Sequence, residues 1–489
     1  MGPLVNRHTV RAAIHVAAIF AMYLSVAMLV PAGVDIYFGN PDWRTFAFSA
    51  LFLGGFALAV ALATHGRPPQ VTTRFGFLLV NLMWLTLAIA GAVPLAASSM
   101  DLGVADAFFE SVSGITTTGS TVISDLDHTA PGILLWRSLL NFMGGLGIIA
   151  VGLFLLPFLN VGGVSYFRVE STDIGDQPLG RFQTFLISLT AIYTGLVMLC
   201  AILYAAAGMT GFDAINHAMA TLATGGFSTH DTSFLRYSDR PMILWIGTVF
   251  MILGSLPFSI MILVAVRGSW DAVRDPQIRV FAGYCAALAV VVAIYLRLTS
   301  DRSFFDALTH SAFNLTSIVS TTGFASDDYT KWGGFVIACI FVATFLGGCS
   351  GSTTGAIKAY RFLILYELLA NGLHRLIYPH RVVSVRYGGR NVGADMQRAV
   401  VLFIASFFMI WALGTVVLGA TGLDFVTATT GALTAMTNVG PGLGPVIGPM
   451  DNFSSLPDSS KWILSFLMLL GRLEILSMLV LFTPAFWSR

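Results

Sequence analysis

Four stretches of this 489-residue chain repeat one arrangement of chemical groups. Each opens on an aspartate, continues as a moderately apolar segment, and closes on small hydroxyl or amide residues with a glycine. They read DAFFESVSGITTTGST from Asp106, DAINHAMATLATGGFS from Asp213, DALTHSAFNLTSIVSTTGFA from Asp306 and DFVTATTGALTAMTNVGPG from Asp424. The closing residues are Thr117, Thr118 and Gly119, then Thr224, Gly225 and Gly226, then Thr321, Thr322 and Gly323, and finally Asn438, Val439 and Gly440. The chemistry such residues offer is that of the main-chain carbonyl. Glycine permits backbone angles closed to other residues, so successive carbonyl oxygens can face one axis and replace the water shell of a monovalent cation. Hydroxyl and amide side chains beside them can hold the loop from behind. One such stretch is an ordinary turn, whereas four in register argue for a shared site.

These segments must be positioned by something. Their aligned glycines recur roughly every hundred residues, the spacing of an internal repeat. Each apolar run is about 10 to 15 residues long, or roughly 15 to 22 Å of helix, too short for a hydrocarbon core of about 30 Å. The run must therefore enter and leave the membrane on one side. Asp106, Asp213, Asp306 and Asp424 stand where a helix N-cap is expected, each carboxylate accepting the free N–H groups of a first turn. Each short helix then points its C-terminal end toward mid-membrane, and that end carries about half a unit of negative charge. Irregular backbone at such depth is tolerated only where protein buries it or where it lines a water-filled path.

Composition agrees. The chain is 56% hydrophobic and only 10% charged, against about one quarter charged for a soluble domain. The balance of 26 basic and 25 acidic residues argues against a nucleic-acid partner. Four scattered cysteines without a C-x-x-C pair argue against a disulfide framework or a zinc site. Apolar runs long enough to span occur at roughly 12–32, 45–64, 75–97, 133–159, 182–208, 241–266, 278–299, 333–350, 355–371, 398–420 and 462–486. That makes about ten spans, one of them broken. Arg7 and Arg11 precede the first run, as they would in a signal peptide, but against that reading its core is long and no small-residue cleavage site follows it. Most basic residues, including Arg7, Arg11, Arg67, Arg74, Arg168, Arg181, Arg267, Arg279, Lys358, Arg381 and Arg489, fall on inner segments if the N-terminus is cytoplasmic. Acidic residues collect outside, where they would raise the local concentration of cations, or merely mirror the inner basic bias.

The broken span runs apolar from Trp332 to Leu346 and then meets GGCSGSTTGA, residues 347–356, before Lys358. Gly347, Gly348, Gly351 and Gly355, at about 1 kcal/mol each relative to alanine, argue against a continuous helix. With Ser352 they predict a flexible intramembrane segment below the glycine sites, where a few torsions could open or block permeation. Close helix packing by small residues is the plainer alternative. A phosphate-binding loop is excluded by spacing and by the lack of a preceding strand. Arg472 and Glu474 lie deep in the last run, where ionisable groups are functional candidates. Being two apart they face different directions, and Glu474 is expected to meet a neighbouring helix. The inner segment 372–398 contains a basic hairpin with a Gly388-Gly389 turn, either a docking surface or an attraction to anionic lipid heads.

The motifs TTTGST, ATGGFST, STTGFA and TNVGPG, each in a span, pore-helix, span unit, resemble the Trk/Ktr/HKT superfamily of potassium transporters. The extra pair of spans within 12–64 makes the resemblance closest to the bacterial TrkH type. It implies an all-α integral membrane fold of four tandem units with pseudo-fourfold symmetry plus two N-terminal transmembrane helices. The units are 71–170, 171–270, 271–390 and 391–489 after a helix pair at 1–70. It further implies K⁺ as the only metal and no covalently bound cofactor. The closing residues named above would form its selectivity filter, and Gly347, Gly348, Gly351, Ser352, Gly355, Lys358 and Arg472 its gate, with Arg472 toward the pore. In plant relatives that prefer Na⁺ the first filter glycine is serine; Gly119 therefore favours K⁺. The resemblance also implies the bacterial cytoplasmic membrane, a homodimer, and a cytosolic nucleotide-binding regulator like TrkA. A cation transporter permeable to both Na⁺ and K⁺ is the alternative within this fold. A secondary transporter of small solutes would need a substrate-sized pocket, often in inverted repeats. A membrane enzyme would need clustered His, Asp or Cys, whereas His217 and His310 are single residues on short helices.

Overall fold

The computed structural model describes residues 7–66, 72–159, 178–268, 273–379 and 384–488, with the side chains of 153–159, 178–183 and 267 left aside. Arg67, Arg168, Arg381, Arg489 and the unit boundaries near 70 and 170 lie outside the described residues. The N-terminal helices are α1 (Arg7–Ala27), α2 (Leu29–Phe38) and α3 (Trp43–Thr64). Then a pattern of long, short and long helices repeats. It begins with α4 (Thr73–Ala96), α5 (Val104–Ile115) and α6 (Pro131–Leu159), and continues with α7 (Pro178–Ala206), α8 (Gly211–Leu222), α9 (Pro241–Ser255) and α10 (Phe258–Arg267). The third round is α11 (Pro276–Thr299), α12 (Phe304–Val319), α13 (Gly334–Ala343) and α14 (Ala359–Ile377). The fourth is α15 (Ala394–Ala420), α16 (Phe425–Thr437), α17 (Asp458–Arg472) and α18 (Leu476–Leu479). Among the described residues seven helices are long and apolar enough to cross a membrane, or nine if each bent pair is one span.

The short helices α5, α8, α12 and α16 have 12, 12, 16 and 13 residues, so none reaches across the hydrocarbon layer. Each packs on the long helix before it, and α5, α8 and α12 also pack on α17, α6 and α9 of the neighbouring round. The rounds are thereby interlocked in chain order. Long helices leave apolar side chains such as Phe52, Leu62, Val291 and Leu413 exposed on the outside of the bundle, as a lipid-facing surface requires. The short helices are buried almost throughout.

Three of the second long helices are interrupted, where the sequence predicts one. The run 241–266 bends by 94° between α9 and α10, because Pro257 lacks the N–H that would continue the ladder and restricts the residue before it. The run 462–486 bends by 106° between α17 and α18, where Glu474 takes a left-handed φ of 60°. The third interruption is the expected one: α13 ends at Ala343, and an irregular loop leads to Lys358, the N-cap of α14. Gly388 and Gly389, with φ of 56° and 80°, close a two-residue turn between β1 (Arg386–Tyr387) and β2 (Arg390–Asn391).

Candidate functional site

All four short helices end in the same way. The N–H groups of Thr118, Gly225, Thr322 and Val439 reach back to the carbonyls of Ser113, Ala220, Ser317 and Thr434 at 2.8, 2.8, 2.8 and 3.1 Å. One residue earlier Thr117, Thr224, Thr321 and Asn438 bond to Gly114, Thr221, Ile318 and Ala435. This pair of bonds is the Schellman ending, with its left-handed residue at the position after the cap. That residue is not glycine here: φ is 54°, 50°, 56° and 55° at Thr117, Thr224, Thr321 and Asn438. Each costs about 1 kcal/mol or more and recurs at the same place four times. Two residues later Gly119, Gly226, Gly323 and Gly440 are left-handed again, so the sign of φ alternates and turns successive peptide planes the same way.

The four endings meet. A Cβ at Gly119 would stand 2.5 Å from the carbonyl oxygen of Gly225, and one at Gly440 would stand 2.7 Å from that of Thr118. A Cβ at Gly226 would collide more closely still with the carbonyl of Thr322, and one at Gly323 with that of Val439. Each glycine thus faces the carbonyl of the next segment, and the fourth returns to the first. Side chains tie the ring from behind. The Ser120 hydroxyl donates to the Gly440 carbonyl at 2.8 Å, and the Asn438 amide donates to the Thr118 hydroxyl at 2.9 Å and to the Met468 carbonyl at 3.0 Å.

The aspartates lie one turn inside the position expected for three of them. Gly103, Thr210 and Ser303 are the caps of α5, α8 and α12, and only Asp424 is itself a cap, accepting from Val426 and Thr427 N–H at 3.1 Å each. The hydroxyls of Thr210 and Ser303 accept the N–H of Asp213 and Asp306, as N-cap hydroxyls do. Asp106 instead pairs with buried Lys461 of α17 at 2.5 Å. The charges still sit in the first turn, where the helix dipole favours them.

The loop 347–356 lies against the inner ends of the short helices. Thr353 Oγ1 donates to the carbonyls of Leu222 and Gly254 at 3.1 and 2.9 Å, Gly355 N–H donates to the Thr321 hydroxyl at 2.8 Å, and Ala356 N–H to the Thr437 carbonyl at 2.9 Å. A Cβ at Gly355 would strike that same Thr437 carbonyl, and one at Gly347 would lie 2.7 Å from the Gly355 carbonyl. Gly348 faces Thr354 and Ser255, Gly351 is left-handed with φ 76°, and Ser352 donates to the Cys349 carbonyl at 2.7 Å. Lys358 folds back onto Thr354, its ammonium 2.9 Å from the hydroxyl. Arg472, at the buried end of α17, donates from Nη1 to the Thr353 carbonyl at 2.7 Å. Glu474 pairs with Arg361 of α14. A cavity of about 50 Å³ bounded by Gly355, Lys358 and Arg472 lies beside the loop, and both Arg361 and Glu474 reach it.

A family model for the TrkH cation transport proteins matches residues 45–489. The chain belongs to the TrkH family. It is 40% identical to the Trk system potassium uptake protein TrkI of Halomonas elongata over 97% of this chain and 96% of that one. It is 35% identical to the Escherichia coli K12 potassium uptake protein TrkH over 98% and 99%. The crystal structure of the potassium transporter TrkH from Vibrio parahaemolyticus superposes with a TM-score of 0.90 at 33% identity, covering 98% of this chain and 99% of that one. Members of the TrkH family are transport proteins, not enzymes.

Sequence reading missed a second layer of this TrkH-family site. Glu110, His217 and Asn314 each stand nine residues before a ring glycine and brace the segment after it. Glu110 accepts Val122 N–H at 2.9 Å, His217 Nε2 meets the Ser228 hydroxyl at 2.9 Å, and Asn314 accepts Ser326 N–H at 3.0 Å. In the fourth round Thr430 does this for Leu443 at 3.1 Å. Arg137, 1% exposed, pairs with Glu110 at 2.7 Å and donates to the Ser228 carbonyl at 2.9 Å. His310 bonds to Ser326 at 2.9 Å. Gly144, Gly254 and Gly471 touch the carbonyls of Ile115, Leu222 and Met436, each four residues before a ring glycine. Aligning the four repeats on those glycines exposes both sets.

Proposed function

We propose that this protein carries K⁺ into a bacterial cell across the cytoplasmic membrane, one ion at a time, through the ring at Gly119, Gly226, Gly323 and Gly440. The observation that carries the reading is the closed succession of glycine against neighbouring carbonyl around all four segments. Peptide oxygens facing a common axis can substitute for hydration water around an alkali cation. The C-terminal ends of α5, α8, α12 and α16 add negative potential beneath it. The membrane potential supplies about 2.3 kcal/mol per charge per 100 mV to drive entry. The likeness to the potassium uptake proteins TrkI and TrkH supports K⁺ over other cations.

In this reading the units 71–170, 171–270, 271–390 and 391–489 each contribute one quarter of the ring, behind a helix pair at 1–70. Residues 347–356 are the gate, positioned by the bonds to Leu222, Thr321, Thr437 and Arg472. The N-terminus is cytoplasmic, the protein works as a homodimer, and a nucleotide-binding regulator like TrkA moves the gate from the cytosol. The test is rubidium-86 uptake into proteoliposomes with Na⁺ or K⁺ as competitor. Strong competition by K⁺ and weak competition by Na⁺ is expected; equal competition would overturn the assignment to K⁺.

A further inference from the structure

One hydrogen-bonded chain leads from the surface hairpin to the intramembrane loop. In the hairpin, Arg386 and Arg390 are exposed while Tyr387 between them is buried. The Tyr387 hydroxyl donates to Asp275 Oδ1 at 2.7 Å, and the same oxygen accepts the N–H of Gln277 at 3.0 Å, which caps α11. Pro276 lies beneath the turn, so that a side chain at Gly388 would touch it. Gln277 is 1% exposed and turns its amide oxygen to the N–H of Ser350 at 2.9 Å, inside the loop. Among the described residues its Nε2 is buried with no hydrogen-bond partner, so the hydrogen bond of this side chain goes to the loop. On either side of Ser350, Cys349 N–H donates to Ser255 and the Gly351 carbonyl accepts from Phe258, each at 3.0 Å.

The hairpin also grips the far end of the loop. Tyr387, Val385 and Val392 share an apolar cluster with Tyr360 and Ile364 of α14, the helix that begins where the loop ends at Lys358. The hairpin therefore touches the loop's middle through polar bonds and its exit through packing. Any displacement of the hairpin must strain or break one of the two.

We propose that the hairpin 386–391 is a lever that sets the position of the intramembrane loop, with Tyr387 and Gln277 as positioning residues and Asp275 as the joint between them. The proposal rests on the reading of residues 347–356 as the gate. A lost hydrogen bond in such a chain raises the population of the released loop about fivefold.

The native Cys349, fully buried next to Ser350, serves as reporter. In full-length protein reconstituted in liposomes, with Cys200, Cys285 and Cys339 replaced by alanine, the rate of alkylation of Cys349 by N-ethylmaleimide is measured. Tyr387→Phe and Gln277→Met are each expected to raise that rate about fivefold, and the double variant no further, because both cut one chain. Gln277→Glu keeps an acceptor for Ser350 and is expected to stay near the parental rate, which a merely space-filling role would not distinguish from Gln277→Met. An unchanged rate in both single variants, or a double variant equal to the product of the two, overturns the lever. Rubidium competition in the same vesicles separates the two readings. Loss of K⁺ preference in the parental protein would strike the proposed function, whereas intact preference with unaltered alkylation strikes only the lever.

Discussion

Asn438 joins the last quarter of the ring to the first, its amide donating to the Thr118 hydroxyl at 2.9 Å while it also holds the Met468 carbonyl at 3.0 Å. It occupies the left-handed position filled by threonine in the other three segments, and asparagine tolerates that conformation better than most side chains.

Asn438→Ala therefore loses two buried hydrogen bonds, at about 1 kcal/mol each, and adds left-handed strain. Asn438→Gly loses the same bonds but relieves the strain. Thermal unfolding in detergent should rank wild type above Asn438→Gly and Asn438→Gly above Asn438→Ala; a reversed order of the two variants would show that the backbone conformation is not the cost.

Gly226→Ala places a methyl group against the Thr322 carbonyl, with main chain rather than a flexible side chain in its way. Rubidium flux is expected to fall by at least about a hundredfold, since misplacement of a site atom by an ångström costs on that order. Gly119→Ser meets the Gly225 carbonyl at 2.5 Å and is expected to lower the preference for K⁺ over Na⁺. An unaltered ratio would remove Gly119 from the ion path.

The Glu110–Arg137 pair is almost wholly buried, with side-chain exposures of 0% and 1%, and Arg137 also lies 4.1 Å from the centre of the Phe227 ring. Breaking a buried pair from one side costs about 3–5 kcal/mol, because the remaining charge is left uncompensated. Glu110→Ala should lower the unfolding temperature sharply, and Glu110→Leu with Arg137→Met should recover part of the loss. A double variant whose loss equals the sum of its singles would count against this account.

In the segment between α8 and α9, His230 bonds to Asp127 at 2.5 Å and lies 3.5 Å from Asp213, with Arg236, Tyr237 and His217 around it. Burial opposes its charge, but the two carboxylates outweigh burial and hold its pKa above the usual imidazole value. The stabilisation it provides is thus complete below about pH 6.5 and lost as pH rises through the raised value. Asp127 shifts the other way: the bond to His230 overcomes burial and lowers its pKa, so its share is lost only on acidification. Unfolding temperature measured from pH 6 to 9 should decline in wild type and stay flatter in His230→Gln; parallel profiles would refute the coupling.

The ring was legible because its signal is repetition: four Thr/Asn-Gly endings in register cannot be read as four unrelated turns. The caps were less so, because in Thr210-x-x-Asp213 and Ser303-x-x-Asp306 either oxygen could have led, and only the fold shows the hydroxyl outside and the carboxylate one turn in. Pro257 could have announced the bend after α9. The bend at Glu474 had no such local signal, and the residue its carboxylate meets there, Arg361, is 113 residues away in the chain. Arg137 was passed over for the same reason, its partner Glu110 being visible only once α5 and α6 lie side by side.

Because the four corners are covalently joined in one polypeptide, they need not be identical, and they are not: Asn438-Val439 stands where Thr117-Thr118 stands in the first. In an assembly of four equal subunits any substitution is imposed fourfold. Here a single base change alters one side of the ring while three are preserved, so, if the ring is the ion path proposed above, selection can grade its discrimination in small, lopsided steps.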